Sequence, residues 1–198
     1  MKHFRFLALV LSLSLLGAPV WAGDTATEPV PVKKLTPHEM RDETLDILFG
    51  SLRKAGNERA AKATEQKIWE VWSQSDSATA DVLLGQAVVA MNAYDSASSR
   101  AILDQVVESY PTYAEAWNKR ATLNFMVGEF DASLADIDKV LELEPRHFGA
   151  LSGRGMIYQA QEKWGPALQA FKDALAINPN MQSVKDAIAD LEKRQPEI

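Results

Sequence analysis

The residues of this chain that come nearest to a catalytic pattern are a histidine and the glutamate beside it. His38 and Glu39 begin the arrangement in which two histidines four residues apart on a helix bind zinc and the glutamate is the general base. That arrangement needs a second histidine at position 42, where the chain has Asp42. His147, the only other histidine after residue 22, is distant in the sequence. The sequence therefore predicts no metal site.

Two further patterns also lack a residue that their chemistry needs. Ser152 is not in a nucleophile elbow, because that turn requires a glycine two residues earlier and Ala150 stands there. Gly153 and Gly155 lack the third glycine and the preceding strand of a phosphate-binding loop. We therefore predict no catalytic residue, no cofactor and no enzymatic activity.

The composition indicates a globular protein with an acidic surface. Of 198 residues, 46% are hydrophobic and 24% are charged, and the net charge is -6. It becomes -8 without residues 1–22, because that segment holds Lys2 and Arg5 and no acidic residue. Such a charge repels nucleic-acid phosphates, so we predict no nucleic-acid partner. There is no cysteine, which excludes disulfides and thiolate chemistry.

The N-terminus has the three parts of a secretory signal. Lys2 and Arg5 precede the apolar run Phe6–Leu16, and Val20-Trp21-Ala22 offers the small residues of a cleavage site after Ala22. The run is shorter than the ~20 residues that span a bilayer, which disfavours the alternative of an uncleaved anchor. We predict a signal peptide at 1–22, a flexible leader at 23–36, and a periplasmic or secreted protein without a stable membrane anchor after cleavage.

Internal repetition is the strongest pattern in the sequence. Pro111, Pro145 and Pro179 are spaced by 34 residues and divide the chain into repeats 80–113, 114–147 and 148–181. Offsets of three, four and seven between apolar residues predict two helices in each repeat. The matching positions include Leu83/Trp117/Leu151, Ala87/Ala121/Gly155, Ser99/Ser133/Ala167, Leu103/Ile137/Phe171 and Val106/Val140/Ala174. Small residues at the eighth and twentieth positions allow close packing, and each proline ends a second helix.

These residues resemble the tetratricopeptide-repeat family. The resemblance rests on Ala114-Glu115-Ala116-Trp117, Gly128-Glu129-Phe130, Leu143-Glu144-Pro145 and Leu175-Ala176-Ile177-Asn178-Pro179. It is weaker in 80–113, where Tyr94 replaces the glycine between the helices. The family implies an all-α solenoid of helical hairpins forming a right-handed superhelix, of an exported bacterial type here.

Helices are also predicted on both sides of the repeats. We interpret 37–78 as a degenerate hairpin that closes the N-terminal end, and 182–198 as a capping helix and tail. Thr36 and Glu39 form a predicted capping box, as do Thr112 and Glu115.

By resemblance to the family, the first helix of each repeat lines a concave groove that binds a partner. The predicted groove residues are Leu84, Val88, Met91, Asn118, Thr122, Phe125, Met126, Ser152, Met156 and Gln159. The alternative is that several of them are buried by the N-terminal hairpin or the capping helix. The family's clamp for a carboxylate terminus is not predicted, because Leu84, Val88, Lys119, Gly149 and Gly153 occupy its positions.

A polar column departs from the family pattern. Gln86, Arg120 and Arg154 stand at the seventh position of the repeats, where leucine is usual. They either pair with an acidic group of a partner or pair internally, with Asp136, Asp138 or backbone carbonyls.

The resemblance implies a protein–protein interaction module. We predict a periplasmic adaptor or scaffold that holds a peptide or helix of another protein in the groove, without a cofactor. Three alternatives remain open: a receptor for a small molecule or cell-wall glycan, an accessory subunit of an envelope enzyme, and a self-associating structural protein. The sequence does not identify the partner, the pathway or the oligomeric state.

Overall fold

The computed structural model describes residues 35–194, and within that range all regular structure is helical. The nine helices are α1 (Pro37–Arg53), α2 (Glu58–Trp72), α3 (Ala78–Asn92), α4 (Ser96–Ser109), α5 (Ala114–Met126), α6 (Phe130–Leu143), α7 (Phe148–Ala160), α8 (Trp164–Ile177) and α9 (Gln182–Arg194). The predicted signal peptide, most of the predicted leader and residues 195–198 lie outside the described residues. In the described part, no helix combines the length and hydrophobicity needed to cross a bilayer.

Three hairpins stack in chain order. The pairs α3–α4, α5–α6 and α7–α8 each form one hairpin, and the second helix of each packs against the first helix of the next. Pro111, Pro145 and Pro179 each lie two residues beyond the end of a second helix. A proline there cannot donate the N–H that would continue the helix. The predicted all-α solenoid is thereby confirmed.

Close packing inside the hairpins depends on small side chains. Ala87 and Ala121 are buried at the eighth position of the first two repeats. In the third repeat the position is Gly155, where an added Cβ would lie 2.5 Å from the Phe171 ring. The large ring fills the space that the missing methyl group leaves, so the pair preserves the packing density of the core.

The turns between the two helices of each repeat share one backbone conformation. Tyr94, Gly128 and Glu162 are 34 residues apart and have φ values of 60°, 82° and 58°. This left-handed region suits glycine and strains a residue that carries a Cβ. Two of the three turns therefore carry a conformational cost.

One predicted capping box is present and the other is wrong. Glu39 N donates to Thr36 Oγ1 at 3.2 Å and Thr36 N donates to Glu39 Oε2 at 2.9 Å. Helix α5 instead has Tyr113 as its N-cap, without a side-chain hydrogen bond. The Glu115 side chain points into the core instead, where its carboxylate forms a hydrogen bond with His147.

The N-terminal hairpin, α1–α2, lies across the loops that connect successive repeats. These inter-repeat loops are residues 110–113, 144–147 and 178–181. At the first loop, the Tyr113 hydroxyl donates to Ser73 O at 2.6 Å. At the second, Trp72 Nε1 donates to Glu144 Oε2 at 3.4 Å.

The third inter-repeat loop contacts the opposite end of the same hairpin. Asn178 Nδ2 donates to Glu65 Oε2 at 3.1 Å, and Asn180 Nδ2 donates to Leu52 O at 3.2 Å. Helix α2 therefore passes the three loops in reverse order, and α1 passes them in forward order. The hairpin does not close the N-terminal end as an additional stacked repeat, which corrects the predicted arrangement.

Apolar packing fixes this crossing. The hairpin and the first residue of α7 share one buried cluster, whose members are Leu45, Phe49, Leu52, Ala61, Ile68, Trp72 and Phe148. Because these side chains are almost completely buried, each of the large ones contributes on the order of 1.5–3 kcal/mol. The hairpin is thus an integral part of the fold.

Candidate functional site

The first helices of the three repeats, α3, α5 and α7, are neighbours and present the predicted groove residues. We call the accessible side of these helices that carries Val88, Thr122, Met126 and Met156 the inner face. Thr122 is exposed, Met126 is 50% exposed and Met156 is 46% exposed. Val88, Phe125, Ser152 and Gln159 are half-buried. Seven of the ten predicted residues can therefore be reached from solvent.

The other three predicted groove residues are buried, which corrects the expectation that a partner touches them. Leu84 and Met91 pack in the core of the first repeat, beside Leu103 of α4. Asn118 is buried because its Nδ2 donates to Glu115 Oε2 at 3.0 Å. The helical spacing of Leu84 and Met91 suits a groove-lining face and a core-facing one equally, so the sequence pattern did not show which face they occupy.

The N-terminal hairpin covers the beginning of the inner helices. An added Cβ at Gly149, in the first turn of α7, would lie 2.5 Å from the Trp69 ring. Lys119 Nζ of α5 lies 5.6 Å from the centroid of the same ring. Lys119 and Gly149, two of the positions that would form a carboxylate clamp, are therefore next to Trp69. The hairpin therefore covers the inner helices at Lys119 and Gly149, whereas Leu84 and Met91 are buried by the core of their own repeat.

A buried carboxylate–imidazole pair joins the start of α5 to the loop before α7, beneath the hairpin. His147 Nε2 and Glu115 Oε2 are 3.1 Å apart, and both side chains are fully buried. The His147 ring stacks on Trp72, with centroids 4.0 Å apart and planes 12° apart. Sequence inspection missed this pair, since its members are separated by almost one repeat and belong to no catalytic motif.

Hydrogen bonding orients the His147 ring toward Glu115. Ala150 N donates to His147 Nδ1 at 3.0 Å, so the imidazole proton is on Nε2 and is donated to Glu115. Burial opposes ionisation of Glu115, but the bond from His147 and the charge of Lys119 outweigh it and hold the pKa below its ordinary value. Lys119 Nζ is 2.6 Å from Glu115 Oε1. The pair is enclosed and holds α5, α7 and α2 together.

Arg120 and Arg154 of the polar column pair internally, whereas Gln86 is exposed. Arg120 forms two hydrogen bonds with Asp136, at 3.0 and 2.7 Å, and one with Asp104 at 2.9 Å. Arg154 pairs with Asp138 in the same way that Arg120 pairs with Asp104, one repeat further along. The Arg120–Asp104 and Arg154–Asp138 pairs link the second helix of one repeat to the first helix of the next, and the Arg120–Asp136 pair links the two helices of one repeat. Both arginines therefore follow the internal alternative.

A cleft of about 880 Å³ lies where α1 begins, between that helix and the first two inter-repeat loops. Arg41 and Arg146 contribute positive charge, and Asp42, Asp76 and Glu144 contribute negative charge. In the part of the chain that the structure describes, Arg41 Nε is buried without a hydrogen-bond acceptor.

The cleft also contains the protected hydroxyl of Tyr113. Burial, together with the negative charges of Asp81 and Glu115, raises the pKa of Tyr113 above its ordinary value. The hydroxyl therefore stays protonated and keeps its bond to Ser73. Across residues 35–194, no group of three or more potential ligands could hold a metal ion.

Sequence comparison places the chain in a family. It is 31% identical over 189 residues to a TPR repeat-containing protein of Rhizobium etli, covering 95% of this chain and 93% of the relative. The chain therefore belongs to the family of TPR repeat-containing proteins. A further relative, sperm-associated antigen 1 of Rattus norvegicus, is 30% identical over 87 residues, which cover 44% of this chain and 10% of that protein. No protein-family model matches the chain.

Solved structures share the fold. The first TPR domain of Spaghetti (RPAP3), bound to the HSP90 peptide SRMEEVD, aligns with a TM-score of 0.57 and 18% identity, covering 60% of this chain and 94% of that one. YrrB, described as a TPR protein with an unusual peptide-binding site, aligns with a TM-score of 0.52 and 21% identity, covering 66% and 65%. At these identities the comparison shows the fold alone.

Proposed function

We propose that this protein is a protein–protein interaction module that binds a segment of another polypeptide on the open half of its inner face. The observation that carries the proposal is the exposure of Met126 and Met156 on adjacent inner helices. Methionine is flexible and polarisable, so it adapts to different apolar side chains of a bound segment. Thr122 and Gln159 supply hydrogen bonds that would fix the register.

The relatives support this proposal by analogy. One neighbour of the same fold is bound to an HSP90 peptide and another is described by its peptide-binding site. Here the N-terminal hairpin narrows the accessible face to the later turns of α5 and α7. A short apolar segment fits such a surface, and its affinity would be moderate, because ordering the segment offsets part of the gain from burial.

Affinity capture with matched variants tests the proposal. Wild type, Met126→Asp and Met156→Asp are used to capture partners from the envelope fraction, beside Met40→Asp. Met40 is also 50% exposed but lies on α1, away from the inner face. We expect one set of proteins to be retained by wild type and Met40→Asp and lost with both inner-face variants. Equal retention by all four would contradict the proposal.

We also propose that the module acts in the periplasm, as an adaptor or scaffold after removal of residues 1–22. Support comes from the basic, apolar and small-residue parts of that segment. Residues 1–30 are fused to a reporter enzyme that is active only outside the cytoplasm. Activity that disappears when Leu9 and Leu11 are changed to arginine would support export, and an inactive wild-type fusion would contradict it.

The cleft beside α1 supports a second candidate function, a receptor for a small polar ligand such as a cell-wall fragment. Its volume of about 880 Å³ is sufficient, and Arg41 offers a buried donor without an acceptor among residues 35–194. A thermal-shift screen with wall fragments would raise the Tm of wild type but not of Arg41→Met. No shift with any fragment would argue against this function.

A further inference from the structure

The first repeat exposes a helix face that is buried in every later repeat. Val82 is 60% exposed and Val89 is 69% exposed. The residues that correspond to Val82 one, two and three repeats later are Ala116, Ala150 and Val184. Each of them is at most 2% exposed. The residues that correspond to Val89 are Leu123, Ile157 and Leu191, and each of them is at most 1% exposed.

The contrast has a structural cause. In the later repeats this face of the first helix packs against the second helix of the preceding hairpin, as α5 does on α4. Helix α2 precedes α3 in the chain, but it crosses the inter-repeat loops and packs on Phe148 instead. Within residues 35–194, the stacking face of α3 is therefore left without the helix that its repeat position calls for.

The exposed face has a self-complementary order. It runs Val82, Gly85, Gln86, Val89 along α3, so a two-fold axis between Gly85 and Gln86 would set Val82 of one copy against Val89 of the other. Gly85 has no side chain, so a second helix can approach closely there, and the space beside it is open because an added Cβ would meet nothing within 4 Å. Gln86 is exposed and can both donate and accept hydrogen bonds across the axis.

We propose that α3 pairs with α3 of a second copy, antiparallel, to form a homodimer at the open end of the solenoid. Charge supports a second copy as the occupant. The chain carries a net charge of -6, yet all four residues of this face are uncharged, so two copies can meet there without like charges in contact. A single pair of helices buries less area than a standard interface, so we expect the dimer to dissociate on dilution.

Cysteine cross-linking tests the pairing and its register, because the chain contains no cysteine of its own. Full chains carrying Val82→Cys are mixed with full chains carrying Val89→Cys and oxidised mildly. The mixture is expected to give several-fold more disulfide-linked dimer than Val82→Cys alone. In the proposed pairing, the two copies of position 82 are offset by seven residues, or about 10 Å, which is beyond the reach of a disulfide.

Two further experiments control for random collisions and measure dimerisation in solution. Met156→Cys, whose side chain is 46% exposed on the inner face, reports random collisions. Sedimentation velocity compares wild type with Val89→Asp, and we expect the variant to shift to monomer at concentrations where wild type dimerises. Both sites on α3 are exposed, so circular dichroism should be unchanged.

The proposal is overturned if the mixture gives no more dimer than Val82→Cys alone or the Met156→Cys control. It is also overturned if wild type sediments as a monomer at every concentration. Neither result depends on the inner face, since Met156→Asp should dimerise as wild type does.

Discussion

At the scale of single residues, the turn inside each repeat shows how sequence and backbone conflict. Gly128 accepts its φ of 82° without cost, whereas Tyr94 and Glu162 hold nearly the same conformation with a Cβ. Tyr94 is 85% exposed, so packing gives it little compensation. The strain is stored at the edge of the solenoid, where the remainder of the repeat is already fixed by its core.

This strain predicts that glycine stabilises the two turns. Tyr94→Gly and Glu162→Gly should each raise the free energy of unfolding by about 0.5–1 kcal/mol, because relief of the left-handed conformation exceeds the added entropy of the unfolded chain. Chemical denaturation measures the change. Gly128→Ala is the matched control and should lower the free energy of unfolding by a similar amount. A stabilising Gly128→Ala would contradict the argument.

The buried Glu115 predicts how stability changes with pH. Its pKa is held below the ordinary value of 4.5 in the folded protein, so the unfolded chain binds its proton more readily. The stabilisation is therefore complete above pH ~4.5 and is lost as the pH falls through the folded pKa.

Denaturation of wild type, Glu115→Gln and Glu142→Gln between pH 3 and pH 7 tests this linkage. Glu115→Gln should lose about 2–4 kcal/mol at neutral pH, because Lys119 loses its partner, and should depend less on pH below 4.5. Glu142, which is 67% exposed in its pair with Lys139, serves as the control and should behave like wild type. An unchanged slope in Glu115→Gln would show that another group controls the acid transition.

At the scale of elements, the sequence predicted the repeats better than the helices before them. The 34-residue spacing of prolines and small residues arises because each hairpin packs on a similar neighbour. This spacing was therefore sufficient to predict helices α3 to α8. The crossing of α1–α2 over the inter-repeat loops has no corresponding periodic pattern in the sequence. Its contacts join Trp72 to Glu144 and Asn178 to Glu65, and residues so far apart in the chain leave no local pattern.

The crossing of the hairpin makes a prediction at Gly149. Although alanine favours a helix, Gly149→Ala should lower the free energy of unfolding by about 1–3 kcal/mol, since its methyl group would lie 2.5 Å from Trp69. Gly50→Ala in α1 is the control and should raise stability by about 0.5–1 kcal/mol, because nothing lies within 4 Å there.

A double-mutant cycle identifies the cause of that loss. In a Trp69→Ala background, Gly149→Ala should cost much less, because the ring that it would meet at 2.5 Å is gone and only His147, at 3.3 Å, remains close. Thermal or chemical denaturation of the four proteins gives the coupling energy. If the cost of Gly149→Ala is the same with and without Trp69, the hairpin does not lie against α7 as described.

At the scale of the whole molecule, the hairpin leaves at least two apolar surfaces exposed within residues 35–194. One is the second half of the inner face, and the other is the open side of α3. The resemblance to the family located the inner face, but it could not separate Leu84 and Met91, which are core, from Met126 and Met156, which are exposed. Apolar residues at helical spacing satisfy either role, and only the packing of neighbouring helices decides.

We have proposed that the inner face binds a segment of another polypeptide. Site-specific photo-cross-linking tests it most directly, with a photoreactive amino acid placed at Met156 in one chain and at Met40 in another. Both positions are about half exposed, but only Met156 lies on the inner face. Irradiation of cells should give a discrete adduct with another protein from position 156 and none from position 40. Equal adducts from both positions, or none from position 156, would contradict the claim.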